Sequence, residues 1–261
     1  MHYRVTADTD IGTVKATNQD SICVFHADSV RGEIVMAIVC DGMGGLAKGE
    51  LASATVIRAF EKWFHDELKH ELYQLDMRVI ANKWELLLKE LNLKIMEYGK
   101  QYRVNLGTTF TGMLIVGSAY FAVHIGDTRL YHIDRDIVQL TEDHTVVAQK
   151  IKRGEITPDQ AESDLHRNVL TQCVGASNKI VPQVLFGNAD QGVYMICSDG
   201  FRHKISEQEI RNAFQKDLLS EQDAMHAQAK RMISLVKQRE EHDNISVILI
   251  CAESVSYTHL R

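Results

Sequence analysis

The chain alternates between two kinds of hydrophobic pattern. Short apolar runs rich in β-branched residues occupy about 3–8, 21–26 and 33–40, and this composition predicts β-strands. Two longer segments, about 47–65 and 77–101, place apolar residues at the three- and four-residue spacing of an amphipathic helix. Each of these helices is therefore expected to bury one face in a core.

A second group of short strands follows the helices. Two-residue turns, Gly117-Ser118 and Arg135-Asp136, separate neighbouring strands, and connections this short predict an antiparallel meander. The strands are predicted at about 109–116, 119–125, 129–134 and 137–140.

The last third of the chain returns to helices between two strands. Ser206 and Ser220 are each followed by acidic or amide residues and resemble helix N-caps. The flanking strands are predicted at about 193–197 and 245–251. Strands that bracket helices in this way indicate two antiparallel sheets packed face to face, each covered by helices.

One segment between the meander and these helices differs from both. Residues 141–168 have helical character, and Thr157 followed by Pro158 fits an N-cap with proline at the first helical position. We interpret this segment, called the flap below, as a mobile element over a functional site.

Composition limits the classes of function. The 261 residues are 45% hydrophobic and 25% charged, which is enough to bury a substantial core in one domain spanning residues 1–261. No apolar run approaches the roughly 18 residues that span a bilayer, and the first residues lack the apolar stretch of a secretory signal. We therefore expect a cytoplasmic protein that does not bind a membrane. Separately, we expect a monomer.

Charge and cysteine content limit the expected partners and the expected state of the cysteines. The formal net charge is −6 and the basic residues form no stripe, so we do not expect a nucleic-acid partner. The five cysteines lack metal-type spacing and mostly lie inside apolar segments, which predicts reduced core residues.

Aspartates stand at the ends of five apolar runs, each beside a glycine or a small polar residue. Several carboxylates at one edge of a sheet would repel one another unless a cation neutralised them. Carboxylate oxygens suit Mg²⁺ or Mn²⁺, which prefer hard ligands and retain several waters. The sequence thus predicts a divalent metal site built from Asp20, Asp41, Asp127, Asp199 and Asp243.

The same aspartates lie in motifs that follow one another in a familiar order. The motifs are Asn18-Gln19-Asp20-Ser21, Asp41-Gly42-Met43-Gly44-Gly45, Gly126-Asp127, Ser198-Asp199-Gly200 and Asp243-Asn244-Ile245. In this respect the chain, from Gly12 to Ile250, resembles the bacterial-type metal-dependent serine/threonine protein phosphatases, the PP2C or PPM family. The resemblance implies an α+β fold, the four-layer αββα sandwich of two antiparallel sheets flanked by helices.

The resemblance also assigns the metal ligands. Asp41 would bridge two Mg²⁺ or Mn²⁺ ions, with the Gly42 carbonyl on one ion and Asp199 and Asp243 on the other. Asp20 would lie near the second ion through a water. A water or hydroxide between the two ions would then attack the phosphate ester, so no protein nucleophile is required.

Three further expectations follow from the family pattern. Asp127, together with Asp199, could hold a third ion. Lys15 stands where relatives usually carry an arginine that grips the substrate phosphate, and lysine keeps the charge without the two-pronged geometry. Met43 stands where eukaryotic relatives carry a histidine that protonates the leaving group, so that acid is absent here.

Other polar residues beside the motifs are expected to be structural. Arg129 is predicted to form an internal ion pair, and Asn244 to orient the loop of Asp243. Thr108 and Thr109 are also predicted to be structural. His124 and His144 lie near motifs, but a lone histidine more often packs or forms hydrogen bonds than binds metal.

The resulting interpretation is a Mg²⁺- or Mn²⁺-dependent phosphatase for phosphoserine and phosphothreonine in proteins. By resemblance, its partners would be a eukaryotic-like serine/threonine kinase and the substrates of that kinase. Two alternatives stay open at this point. One is a phosphomonoesterase for small molecules, and the other is a catalytically weak PPM-like domain that serves as a regulatory binding module.

Overall fold

Helices and strands alternate along the chain much as the hydrophobic pattern predicts. The computed structural model describes residues 1–43 and 48–254. Gly44 and Gly45 of the second aspartate motif, and the predicted helix start near 47, lie outside the described residues.

The strands and helices follow one another in a simple order. The strands are β1 (His2–Asp10), β2 (Ser21–Ser29), β3 (Gly32–Cys40), β4 (Gly42–Met43), β5 (Gly107–Thr108), β6 (Phe110–Val116), β7 (Ala119–Ile125), β8 (Arg129–Ile133), β9 (Ile137–Gln139), β10 (Gln183–Asn188), β11 (Gly192–Cys197) and β12 (Ile245–Glu253). The helices are α1 (Gly49–Asp66), α2 (Leu68–Glu71), α3 (Met77–Tyr102), α4 (Val146–Lys152), α5 (Pro158–Glu162), α6 (Asp199–Arg202), α7 (Glu207–Ala213) and α8 (Gln222–Gln238), with a 3₁₀ helix at Lys216–Leu219.

Ten of the strands form two antiparallel sheets of five strands each. The first sheet has the order β1-β12-β11-β8-β9, and the second has the order β10-β7-β6-β3-β2. The short strands β4 and β5 form a separate ladder. The strands of the predicted meander are therefore divided between the sheets, since β6 and β7 pair in one, and β8 and β9 in the other.

Three apolar layers hold the sheets and helices together. Val39 and Ile115 of the second sheet meet Ile196 and Ile248 of the first, which fills the space between the sheets. Against the outer face of the second sheet pack apolar side chains of α1 and α3, including Trp84. A third cluster joins the outer face of the first sheet to α6, α7 and α8. The four-layer αββα sandwich is confirmed.

Most predicted elements begin and end within a few residues of the observed ones. The capped helix starts at Thr157 and Ser206 are confirmed, because each side chain accepts a hydrogen bond from a backbone amide and completes a capping box. All five cysteines are buried and free of disulfide bonds, as predicted. In the described part of the chain, no helix combines the length and apolar composition needed to cross a bilayer.

One predicted helix cap is wrong. Ser220 does not cap α8, because the preceding 3₁₀ helix carries the chain past it and Glu221 occupies the N-cap position without a side-chain hydrogen bond. The strand β10 was not predicted at all. It lies at the edge of the second sheet, where its side chains are only partly buried and alternate weakly.

Candidate active site

The register of the sheets brings the five aspartates to one end of the sandwich. Ser21 pairs with Cys40, so Asp20 before β2 and Asp41 after β3 continue from the same edge. In the first sheet Cys197 pairs with Val247, which places Asp199 and Asp243 at its corresponding edge. Asp127 follows β7 by two residues. Both sheets therefore contribute carboxylates to one site.

These carboxylates lie close enough to repel one another. Burial and the neighbouring aspartates raise the pKa of Asp41 well above its ordinary value. Burial, together with Asp199 and Asp243, raises the pKa of Asp20 to about 7. Burial and Asp199 likewise raise the pKa of Asp127 to about 7. The site thus carries more negative charge than its own side chains neutralise.

Within the part of the chain that the structure describes, two of these carboxylates have buried oxygens without a hydrogen-bond partner. Asp20 Oδ2 accepts a hydrogen bond of 2.6 Å from Ser246 Oγ, but Asp20 Oδ1 has none, and neither has Asp199 Oδ1. An uncompensated buried carboxylate is costly, and a hard divalent cation would satisfy both the charge and the free oxygen. The residues present therefore fit Mg²⁺ or Mn²⁺.

Lys15 lies beside the carboxylates. Its Nζ is 3.0 Å from Asp243 Oδ1 and supplies part of the positive charge that the carboxylates require. Among residues 1–43 and 48–254, no three His, Cys, Asp or Glu side chains converge as a preformed metal-binding group.

The backbone around Asp41 is fixed from several sides. The Asp41 carbonyl accepts hydrogen bonds of 2.9 Å from the Thr109 amide and the Thr108 hydroxyl, and the Asp41 amide donates to Thr109 Oγ1. The structural roles predicted for both threonines are confirmed. A Cβ on Gly42 would lie 2.4 Å from the carbonyl oxygen of Gly49, so close backbone packing requires glycine there.

Asn244 connects the loop of Lys15 to the segment of Asp243. Its Nδ2 donates to the carbonyls of Ile11 and Thr17, at 2.9 and 3.2 Å, and its Oδ1 accepts from the Gln19 amide at 2.9 Å. The prediction that Asn244 orients a loop is confirmed.

A wide groove opens beside the aspartates. It has a volume of about 1790 Å³, and Lys15, Asp127 and Asp243 line it on the side of the site. Ala148 and Arg167 of the flap also line it. The predicted helical character of the flap is confirmed by α4 and α5, whereas its mobility stays a prediction.

Comparison with known proteins identifies the family. Residues 13–243 match the model of the protein phosphatase 2C family. The chain belongs to this family. A protein phosphatase 2C-type protein of Streptococcus pyogenes is 30% identical over 96% of this chain and 98% of its own length. The serine/threonine protein phosphatase PstP of Mycobacterium tuberculosis is 31% identical over 98% of this chain, which corresponds to 46% of PstP.

Solved structures of the family share the fold. The S. agalactiae serine/threonine phosphatase superimposes with a TM-score of 0.85 at 26% identity, over 97% of this chain and all of that one. The catalytic domain of PstP, solved in complex with two manganese ions, gives a TM-score of 0.75 at 26% identity, over 95% of this chain and 97% of that one.

Arg129 pairs with Asp143, and Arg202 contacts the loop of Asp127. Arg129 forms a double ion pair with Asp143, with Nη2 2.8 Å from Oδ2, so the predicted internal ion pair is confirmed. Arg202 Nη2 donates to the Asp127 carbonyl at 3.2 Å. The loop of Asp127 is therefore held by groups from α6 as well as from its own sheet.

Two functional candidates were missed by the sequence reasoning. His203 Nε2 lies 3.5 Å from Asp199 Oδ2, and His203 Nδ1 lies 3.7 Å from Glu241 Oε2. Burial lowers the pKa of His203, but the carboxylates of Glu241 and Asp199 outweigh this effect and raise it above its ordinary value. In the sequence, His203 could have been found from its spacing of four residues from Asp199, because that spacing puts both residues on one face of a helix.

Proposed function

We propose that this protein is a Mn²⁺- or Mg²⁺-dependent protein phosphatase that hydrolyses phosphoserine and phosphothreonine. The observation that carries the proposal is the gathering of five aspartates beside a wide groove, two of them with a buried oxygen that no described residue satisfies. Family membership supports the same reaction class. The presence of all five aspartates favours an enzyme over a catalytically weak binding module.

The proposed metal ligands come from both sheets. Asp41, the Gly42 carbonyl, Asp199 and Asp243 would hold two ions, with Asp20 nearby, and Asp127 with Asp199 would hold a third. Such ions act as Lewis acids toward a phosphate ester and neutralise its charge. Ser246 orients the Asp20 carboxylate through its hydrogen bond of 2.6 Å.

Lys15 is the residue proposed to contact the substrate phosphate. Its side chain is 39% exposed and lines the groove, so the ammonium group can turn from Asp243 toward a phosphoryl oxygen. A lysine acts as a point charge on a flexible stem, in contrast to the fixed fork of arginine. We therefore expect it to attract the phosphate without fixing its orientation.

The shape of the groove favours a protein substrate over a small metabolite. At about 1790 Å³ the groove exceeds the roughly 300–1,000 Å³ typical of small-molecule pockets. Residues of the flap line it together with Asp127 and Asp243, so an extended peptide in the groove would bring a phosphorylated side chain beside these aspartates.

We also propose the substrates, the cellular location and the oligomeric state of this enzyme. The substrates would be phosphoproteins, among them a eukaryotic-like serine/threonine kinase and its targets, and the enzyme would act as a cytoplasmic monomer of one domain. Support for phosphoprotein substrates comes from the serine/threonine phosphatases among its relatives. Support for a single domain comes from the span of more than nine-tenths of the chain over which relatives match.

The substrate class can be tested by comparing kcat/KM with Mn²⁺ for a phosphothreonine peptide and for small phosphate esters, including phosphothreonine itself. We expect the peptide to be preferred by roughly tenfold or more, because groove contacts with flanking residues contribute binding energy in the transition state. Equal or better turnover of a small ester would instead identify a small-molecule phosphomonoesterase.

A further inference from the structure

Asp20 belongs to a closed ring of hydrogen bonds beside the paired ends of β1 and β12. The Asp20 amide donates to Asn18 Oδ1 at 3.1 Å, and Asn18 Nδ2 donates to Thr9 Oγ1 at 2.8 Å. Thr9 Oγ1 lies 2.8 Å from Ser246 Oγ, which donates to Asp20 Oδ2 at 2.6 Å. The ring thus begins at the backbone of Asp20 and returns to its carboxylate.

The register of the first sheet places the two hydroxyl groups of the ring side by side. Thr9, near the end of β1, is the cross-strand partner of Ser246, near the start of β12. Side chains of directly opposite residues in an antiparallel pair lie close enough for hydroxyl groups to bond. Asn18 and Asp20 come from the segment before β2, which belongs to the second sheet. The ring therefore joins the two sheets at the proposed metal site.

The chemistry of the groups fixes the direction of each hydrogen bond. A backbone amide can only donate, so the amide oxygen of Asn18 faces Asp20 and its NH₂ group faces Thr9. A carboxylate accepts, so Ser246 uses its one hydroxyl proton on Asp20. Thr9 must then donate its own proton to Ser246. Each hydroxyl group both accepts and donates, and hydrogen bonds in such a chain polarise and strengthen one another.

The ring occupies one oxygen of the Asp20 carboxylate and leaves the other for the metal site. Asp20 is 6% exposed, and among the described residues its Oδ1 has no hydrogen-bond partner. Rotating the carboxylate would break the hydrogen bond that Ser246 donates to Oδ2, so Oδ1 keeps one position. A metal ion, or a water bound to it, would then meet a fixed acceptor.

We propose that Thr9 and Asn18 are positioning residues for the metal site, which act through the ring to hold the Asp20 carboxylate in one orientation. This inference rests on the proposed function, which puts Asp20 near the second ion. Groups that orient a ligand through hydrogen bonds affect metal affinity although they do not touch the ion. Thr9 and Asn18 should therefore influence metal binding without contacting the substrate.

The first test is amide hydrogen exchange of the metal-free protein, followed by NMR. The Asp20 amide precedes β2, so its protection reports on the bond to Asn18. Thr9→Val keeps the shape of the side chain and removes the hydroxyl group that orients Asn18. Exchange at Asp20 should rise roughly fivefold, as expected for the loss of one hydrogen bond, and Thr9→Ser should restore the wild-type rate.

The matched control is Thr6→Val, which removes a hydroxyl group from the same strand. Thr6 Oγ1 contacts His226 instead of the ring, so this change should leave exchange at Asp20 unaltered. Thr9 lies at the exposed surface, so neither Thr9→Val nor Thr9→Ser opens a cavity in the core. An unprotected Asp20 amide in wild type, or exchange in Thr9→Val as slow as in wild type, would overturn the proposal.

Calorimetric titration with Mn²⁺ tests the connection to the metal site. Thr9→Val should lower the affinity for one ion by about fivefold, and Ser246→Ala, which removes the direct contact with Asp20, by roughly tenfold or more. The double variant should bind Mn²⁺ no more weakly than Ser246→Ala alone, because both changes open the same ring. Additive losses, or an unchanged affinity in Thr9→Val, would contradict a positioning role.

Turnover of a phosphothreonine peptide separates this inference from the proposed function. In Thr9→Val we expect a lower kcat at limiting Mn²⁺, largely restored by excess Mn²⁺, and an unchanged KM for the peptide. Mn²⁺-dependent turnover by wild type, with exchange and Mn²⁺ affinity unchanged in Thr9→Val, would overturn the role of the ring and leave the phosphatase assignment standing. A wild type that binds no Mn²⁺ and shows no turnover would overturn both.

Discussion

His124 is a fully buried imidazole that the fold keeps neutral. Its Nδ1 lies 2.8 Å from Thr111 Oγ1 and its Nε2 lies 3.1 Å from the Glu142 carbonyl. Burial, reinforced by the neighbouring His144, lowers the pKa of His124 to about 3. The ring therefore has a hydrogen-bonding role, as expected for a lone histidine near the motifs.

This pKa predicts a pH dependence of stability. An unfolded histidine titrates near 6.5, so between about pH 6.5 and 3 the unfolded state binds a proton that the folded state refuses. This group alone should lower the free energy of unfolding by about 1.4 kcal/mol for each pH unit below roughly 6. Urea unfolding in EDTA at pH 7, 6 and 5 should show a shallower decline for His124→Gln than for wild type. The exposed His70→Gln is the control, and equal slopes for His124→Gln and wild type would contradict the account.

At the scale of elements, His144 connects the flap to the loop of Asp127. The His144 amide donates to the Gly126 carbonyl at 2.7 Å, and the Gly126 amide donates to His144 Nδ1 at 3.2 Å. The His144 carbonyl accepts from the Thr171 amide, where the chain returns from the flap. Both ends of the flap are thus held beside a proposed metal ligand.

Removing the ring should therefore loosen the flap. Loss of one hydrogen bond costs about 1 kcal/mol, which corresponds to roughly a fivefold rise in the open population and in the rate of tryptic cleavage at flap lysines and arginines. His144→Ala should show this rise, and His144→Asn, which retains an acceptor near the position of Nδ1, should show less. His166→Ala, an exposed flap histidine, serves as control. Cleavage as slow as wild type in His144→Ala would show that the ring does not hold the flap.

The elements differ in how well the sequence predicts them. Central strands such as β3 and β7 carry strong apolar patterns because they are buried, and their predicted bounds agree with the structure within a residue. The edge strand β10 lacks such a pattern, since among the described strands only β7 pairs with it. The sequence around Ser220 resembles an N-cap, but in the structure Ser220 ends the preceding 3₁₀ helix instead of starting α8.

In the candidate site, too, some residues are indicated by local sequence pattern and others depend on tertiary packing. The five aspartates follow or precede buried strands, so their gathering at one end is predictable from pattern and family. Glu241 and His203 are far apart in the sequence, and their approach depends on how α6 packs against the start of β12. That contact is tertiary, and no local pattern indicates it.

At the scale of the whole molecule, two sheets together concentrate negative charge at one end of the sandwich. Burial, together with this repulsion, raises the pKa of Asp20 and Asp127 to about 7, so the site is incomplete without cations. Metal binding should therefore both stabilise the fold and enable the reaction.

The most direct test of this account is turnover of a phosphothreonine peptide with Mn²⁺, with EDTA, and by Asp199→Asn. The matched control is Asp136→Asn, which changes an exposed aspartate in the turn between β8 and β9. We predict Mn²⁺-dependent turnover that EDTA abolishes, that Asp199→Asn lowers by roughly 10²-fold or more, and that Asp136→Asn leaves unchanged. Turnover that persists in EDTA, or that is equal in Asp199→Asn and wild type, would contradict a metal-dependent phosphatase site at these aspartates.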